Sequence, residues 1–186
     1  MIKSEKAVFI VSSPRHFVLA CAIAESSGLF IKPILIISDD FNNAFDFYLI
    51  ISRLIKENKA PFGKVFCLNK KYAIRQKNTI KRSWMKKTGE FRQFKLYREI
   101  SKEYTVTHLL TSEVNSLSTQ YFLNSVNKQN KVECHYIEDG LFSYVKREFK
   151  AESALDIWFK RIKYGFNYQP ATINTLPLWV SSSWFL

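Results

Sequence analysis

Two adjacent acids, Glu138 and Asp139, follow a short run of strand-forming residues and are followed by Gly140. The run predicts a strand over Val132–Ile137 that ends at the acids. In open α/β sheets, ligands bind in the crevice outside the carboxyl ends of the strands. Repulsion between neighbouring carboxylates raises the pKa of a carboxyl group toward that of a useful general base. The pair is therefore the first candidate for catalysis, although the same three residues also form ordinary turns.

A second chemical feature is a basic segment, residues 70–102, which holds twelve Lys or Arg and only two acids. Its net charge is +10 of the chain's +12, so the basicity is local. Such a segment suits phosphates of nucleic acid, an anionic membrane surface, or a polyanionic glycan acceptor. The same composition also fits a solvated loop followed by a solvated helix face, without a binding role. The most compact group of cations, and the one predicted to bind an anion, comprises Lys81, Arg82, Lys86 and Lys87.

The turn after the first predicted strand offers a third candidate. Ser13, Arg15 and His16 place a hydroxyl, a cation and a ring nitrogen at the start of a helix, where an anion can bind. A simple capping turn explains the same residues. The chain contains no Gly-x-Gly-x-x-Gly and no Gly-Lys-Ser/Thr loop, which argues against a dinucleotide or Walker-type site.

We predict no metal site from the sequence. Asp39 and Asp40 follow a strand, but helix capping explains them better than metal binding does. His108 and His135 lie inside predicted strands and are expected in the core or on a strand face. The three cysteines are widely spaced in apolar segments, which favours buried thiols in a cytoplasmic protein.

These candidates must be positioned by alternating strands and helices. Short apolar strands are predicted at 7–13, 33–38, 64–68, 107–111 and 132–137, with helices at 17–27, 43–58, 89–103, 112–127 and 151–166, and a further strand at 178–186. This order predicts an α/β fold, a Rossmann-like parallel sheet with helices on both faces. We assign residues 1–150 to this domain and residues 151–186 to a connector toward a second domain.

The pattern of strand, Glu138-Asp139-Gly140 and aromatic residues resembles the acidic-acidic-glycine motif of bacterial sialyltransferases and capsule polysialyltransferases. Ala7–Glu25 is similar to that family's opening strand and helix, and Thr107–Thr111 and residues 131–144 follow in the same order. The resemblance implies the first, acceptor-side domain of a GT-B-type glycosyltransferase. The family's second domain supplies a His-Pro motif for the nucleotide donor, and none of the three histidines here precedes a proline.

What the resemblance implies for function is specific. Asp139 would be the general base and Glu138 would support it, while Gly140 and Ser143 would contact substrate. The substrates would be a nucleotide sugar (CMP-sialic acid) and a glycan acceptor of a capsule or lipooligosaccharide. No cofactor is expected. The enzyme would work in the cytoplasm with peripheral contact to the inner membrane face.

An alternative is a basic module without catalysis that binds an anionic membrane or nucleic acid through the basic segment. Of these partners, we favour glycan or membrane over nucleic acid. Near-normal turnover by an Asp139→Ala variant would contradict the enzyme. Absence of a gel shift at low salt, together with absence of binding to anionic vesicles, would contradict the binding module.

Overall fold

The computed structural model describes residues 4–28, 30–38, 41–68, 79–127, 131–137, 152–166, 168–170, 177 and 179–184. Within these ranges the description omits the side chains of residues 79, 81–87, 90, 91 and 184. Strands and helices alternate along the described chain, as β1 (Ser4–Val11), α1 (Pro14–Ser26), β2 (Ile34–Ser38), α2 (Ala44–Lys56), β3 (Lys64–Leu68), α3 (Thr79–Glu103), β4 (Tyr104–Thr111), α4 (Leu117–Asn127), β5 (Glu133–Ile137), α5 (Ala154–Tyr164) and β6 (Val180–Trp184).

The six described strands form one all-parallel sheet in the order β3-β2-β1-β4-β5-β6. This confirms the predicted α/β class with a Rossmann-like sheet. The strands β1 and β2 are apolar on both faces because helices cover both, and all five residues of β2 are buried.

Each face of the sheet has its own core. On one face, α3 and α4 contribute Tyr97, Ile100 and Phe122, which pack on Val8 and Ile10 of β1. On the other face, Ala20 and Ile23 of α1 and Ile51 of α2 pack on the alternate strand residues. These include Phe9 of β1 and Leu35 of β2. The central strands are therefore the best-fixed part of the molecule.

The segment predicted as a connector contributes to the sheet. α5 is capped by Ser153, whose hydroxyl accepts a hydrogen bond from the backbone N–H of Asp156. β6 then pairs in parallel with β5, from Cys134 opposite Val180 to Ile137 opposite Trp184. Because backbone groups of β5 are satisfied by β6, the sheet domain extends past residue 150 to Trp184. A second domain stays a prediction.

Two irregularities interrupt the pairing. Against β1, strand β4 carries one extra residue, Thr107, because Lys6 lies opposite Val106 and Ala7 opposite His108. Against β5, strand β6 carries the extra residue Ser181. Bulges of this kind are rare in parallel sheets and often re-aim a side chain near a functional site.

Cys134 is buried, and Cys21 and Cys67 are partly buried. Burial raises the pKa of Cys134 to about 12 and that of Cys21 to about 11, with Glu25 adding to the latter shift. These two thiols are therefore poor nucleophiles at neutral pH. Among the described helices, none has an apolar stretch that would cross a bilayer.

Candidate active site

The sheet reverses its direction of growth between β1 and β4. The chain runs outward from β1 through β2 to β3, then returns to place β4 on the other side of β1. At such a switch point the loops after the two strands diverge and leave a crevice for a ligand. Ser12 directly follows β1 and Ser112 directly follows β4, so both lie at this crevice.

His16 joins these two serines. Its Nδ1 lies 3.0 Å from the Ser12 hydroxyl and 3.0 Å from the Ser112 hydroxyl. The two hydroxyl oxygens are 3.4 Å apart. Nδ1 carries either one proton or one lone pair, so it forms one strong bond, while each hydroxyl can both donate and accept and can therefore also bond the other hydroxyl or a ligand. The ring is buried, with 3% exposure, so it positions the serines rather than meeting solvent.

The first turn of α1 places His16 in the crevice. Ser13 is the N-cap residue, and its hydroxyl accepts a hydrogen bond from the backbone N–H of His16 at 3.2 Å. Pro14 occupies the first helical position, where a missing N–H costs nothing. The structure thus brings Ser13 and His16 to the crevice, with Ser13 engaged in capping. Arg15 is exposed.

The acid pair follows the neighbouring strand. β5 lies beside β4, with Tyr136 opposite Thr111, and it ends at Ile137. The chain therefore leaves β5 at the same sheet edge as Ser112. Glu138, Asp139, Gly140 and Ser143 lie outside the described residues, and their roles stay predictions.

The basic segment is helical from Thr79, ten residues before the predicted start at Gly89. Lys81, Arg82, Lys86 and Lys87 belong to this helix, but their side chains are outside the description. Further along α3, Arg92 and Gln93 line a pocket of about 350 Å³ at the carboxyl end of β3. The pocket is otherwise largely apolar, with Phe45, Tyr48, Phe66, Cys67, Leu68, Gly89 and Leu96. Basic and apolar side chains thus meet at the carboxyl ends of the strands, where the crevice also lies.

Asp39 and Asp40 also lie outside the described residues. The residue before α2 is Asn43, with φ 61°, and its side chain makes no capping hydrogen bond. Asparagine tolerates this left-handed conformation better than most residues do.

Two groups were missed from sequence. The sequence predicts a helix over 112–127, which includes Ser112, yet α4 starts at Leu117, because the hydroxyl of Ser116 caps it by accepting from the N–H of Thr119. A hydroxyl directly after a predicted strand could have signalled Ser112. The second group comprises His108, Glu133 and His135, whose potential ligand atoms lie within 4.8 Å of one another.

Burial lowers the pKa of His135, and the nearby His108 lowers it further, while Glu133 acts in the opposite direction. The neutral ring that results can act as a metal ligand. Nothing in sequence spacing could have found this group, because it depends on the pairing of β4 with β5.

No protein-family model matches the chain, and no curated protein is significantly similar to it.

Proposed function

We propose that this chain is the acceptor-side domain of a sialyltransferase-like glycosyltransferase, which moves sialic acid from a cytidine nucleotide donor to a glycan acceptor. The observation that carries the proposal is the meeting of Ser12, His16 and Ser112 at the switch point of a Rossmann-like sheet. The adjacent strand, β5, leads directly into Glu138 and Asp139. A base and a polar crevice at one sheet edge suit sugar transfer.

In the reaction, Asp139 takes the proton of an acceptor hydroxyl as its oxygen attacks the anomeric carbon of the donor sugar. The new carbon–oxygen bond forms while the bond from that carbon to the phosphate oxygen breaks. Cytidine monophosphate leaves with the electron pair, and hydrogen-bond donors stabilise its charge. Glu138 supports the base, and Gly140 and Ser143 contact substrate.

A path for an acceptor is supported by the pocket that Arg92 lines. The pocket at the end of β3 lies two strands from β1, or about 10 Å at the usual strand spacing. Arg92 on its rim belongs to the basic segment, which attracts an anionic glycan. The nucleotide would be held mainly by a second domain, and the enzyme would act in the cytoplasm at the inner membrane face.

An assay for release of cytidine monophosphate from CMP-sialic acid, with sialylated acceptors, tests the proposal. It is run on this chain and on the longest natural form of the protein. Release that depends on acceptor is the expected result. The Ser12→Ala/Ser112→Ala double variant should lose up to about tenfold in rate, the worth of one good hydrogen bond.

The control is Ser52→Ala, since that hydroxyl donates to the Tyr48 carbonyl of its own helix at 2.8 Å. This variant should release cytidine monophosphate at the unaltered rate. Absence of acceptor-dependent release in both forms would overturn the proposal.

A second candidate, a module that binds an anionic membrane, is favoured by one face of α5. Leu155, Trp158, Phe159 and Ile162 recur at helical spacing and are 55–70% exposed. Arg161 and Lys163 add positive charge in the last turn. Aromatic and apolar residues beside cations are typical of helices that lie in a membrane interface.

Co-sedimentation with vesicles tests this candidate. We expect binding to vesicles that contain phosphatidylglycerol, weakened by salt, and little binding to pure phosphatidylcholine. Trp158→Ser/Phe159→Ser should abolish sedimentation, whereas Phe45→Ser, an exposed phenylalanine on α2, should not. If the two variants sediment with the vesicles to the same extent, α5 is not the membrane contact.

A further inference from the structure

Three polar side chains converge on the face of the sheet that α1 covers, away from the carboxyl edge. The Nε2 atom of His108 lies 3.7 Å from Oε2 of Glu133, and the Nε2 atom of His135 lies 4.0 Å from the same oxygen. The two imidazole rings stack, with centroids 5.5 Å apart and planes 13° apart. Two histidines and one carboxylate therefore aim their outer atoms at a common point.

The sheet produces this convergence. Glu133 and His135 are two residues apart on β5 and share a face, and His108 lies opposite Glu133 on β4. The bulge residue Thr107 immediately precedes His108, and the other bulge residue, Ser181, precedes the partner of His135 on β6. Both irregularities of the sheet thus occur at this group.

The inner ring nitrogens are each held by a hydroxyl beside a bulge. Nδ1 of His108 lies 3.0 Å from Oγ1 of Thr107, and Nδ1 of His135 lies 2.7 Å from Oγ of Ser182. Histidines that bind metals usually donate their other ring N–H to a hydrogen-bond acceptor, which fixes the tautomer and the ring orientation. In the tautomer that carries the proton on Nδ1, each ring donates to its hydroxyl partner and its Nε2 lone pair faces Glu133.

We propose that His108, Glu133 and His135 bind one divalent transition metal ion, with Zn²⁺ the best match. Two imidazoles and one carboxylate with one open position form an established type of zinc site. At metal–ligand bonds of about 2.0–2.1 Å, tetrahedral ligands lie about 3.3 Å apart, whereas the ligand atoms here lie within 4.8 Å of one another. Metal binding therefore requires the side chains of Glu133, 60% exposed, and His108, 30% exposed, to rotate toward the ion.

The site is separate from the crevice. His108 precedes the end of β4 at Thr111 by three residues, or about 10 Å of strand. A metal there would link β4 to β5. The inference therefore stands whether or not the chain transfers sialic acid.

Titration of the metal-free full chain with Zn²⁺ and with Co²⁺ tests the proposal, by calorimetry and by the visible absorption of bound cobalt. We expect one equivalent to bind, and Zn²⁺ to raise the melting temperature. His108→Gln and Glu133→Gln should each weaken binding at least as much as Ser182→Ala, for which the expected loss is about 10- to 100-fold. Glu133 is exposed, so its variant should fold normally.

Two control variants remove a carboxylate and an imidazole that lie outside the proposed metal site. Glu99→Gln alters an exposed acid on α3, and His16→Gln removes the third histidine of the chain. Both should bind Zn²⁺ as the unaltered chain does. Failure of the unaltered chain to bind at micromolar free zinc, or equal binding by the Glu133 and Glu99 variants, would overturn the site.

Discussion

Asp139→Asn in the longest active form is expected to lower the rate of acceptor-dependent CMP release by about 10²- to 10⁴-fold, the usual contribution of a general base. Asparagine has nearly the shape of aspartate but cannot accept the proton of the attacking hydroxyl. The loss should therefore appear in kcat, with little change in the KM for donor or acceptor. Steady-state kinetics of purified protein measure both.

Two matched variants make this result specific. Glu138→Gln should cost less than Asp139→Asn, because it removes support for the base rather than the base itself. Asp46→Asn changes an exposed acid in the first turn of α2 and should leave the rate unaltered. If Asp139→Asn keeps near-normal turnover, Asp139 is not the base.

The largest effect on stability is expected at Phe122. Its ring is fully buried on α4, in the core between the sheet and α3, with its centroid 4.7 Å from that of Tyr97. Phe122→Ala removes this packing and leaves a cavity, at a cost of about 3–5 kcal/mol in the free energy of unfolding. Urea denaturation followed by circular dichroism measures the loss.

Phe159→Ala is the control, since it deletes the same side chain from a helix where the ring is 62% exposed. Its cost should stay within about 0.5 kcal/mol. Equal costs at the two positions would mean that the α3–α4 core does not dominate stability.

Apolar pattern was enough to predict the sheet. The third strand was predicted with its observed bounds, Lys64–Leu68, because it is flanked by Gly63 and by a polar stretch. The start of α3 was not, since residues 79–88 contain only three apolar side chains, Ile80, Trp84 and Met85, among four Lys or Arg. Packing periodicity identifies a helix only where the helix is packed.

Site residues that lie at the ends of strands could be predicted from the sequence. Site residues that meet only through the pairing register of two strands could not. His16 was a candidate because it follows the first strand, and the structure places it between Ser12 and Ser112. The three proposed metal ligands come together because His108 lies opposite Glu133 in the sheet. The bulge in β4 determines which face of the sheet His108 occupies. Neither a bulge nor a register is visible in spacing along one chain.

The pairing of β1 with β4 also has a consequence for how the protein acquires its site. Ser12 and Ser112 are 100 residues apart in sequence, whereas β1 and β2 are joined by a single helix. Contacts between distant segments form late in folding, because closing a long loop costs more entropy than closing a short one. We expect β1, β2 and β3 to assemble first and β4 to dock onto the exposed side of β1 afterwards. Binding competence therefore arises only at that docking step.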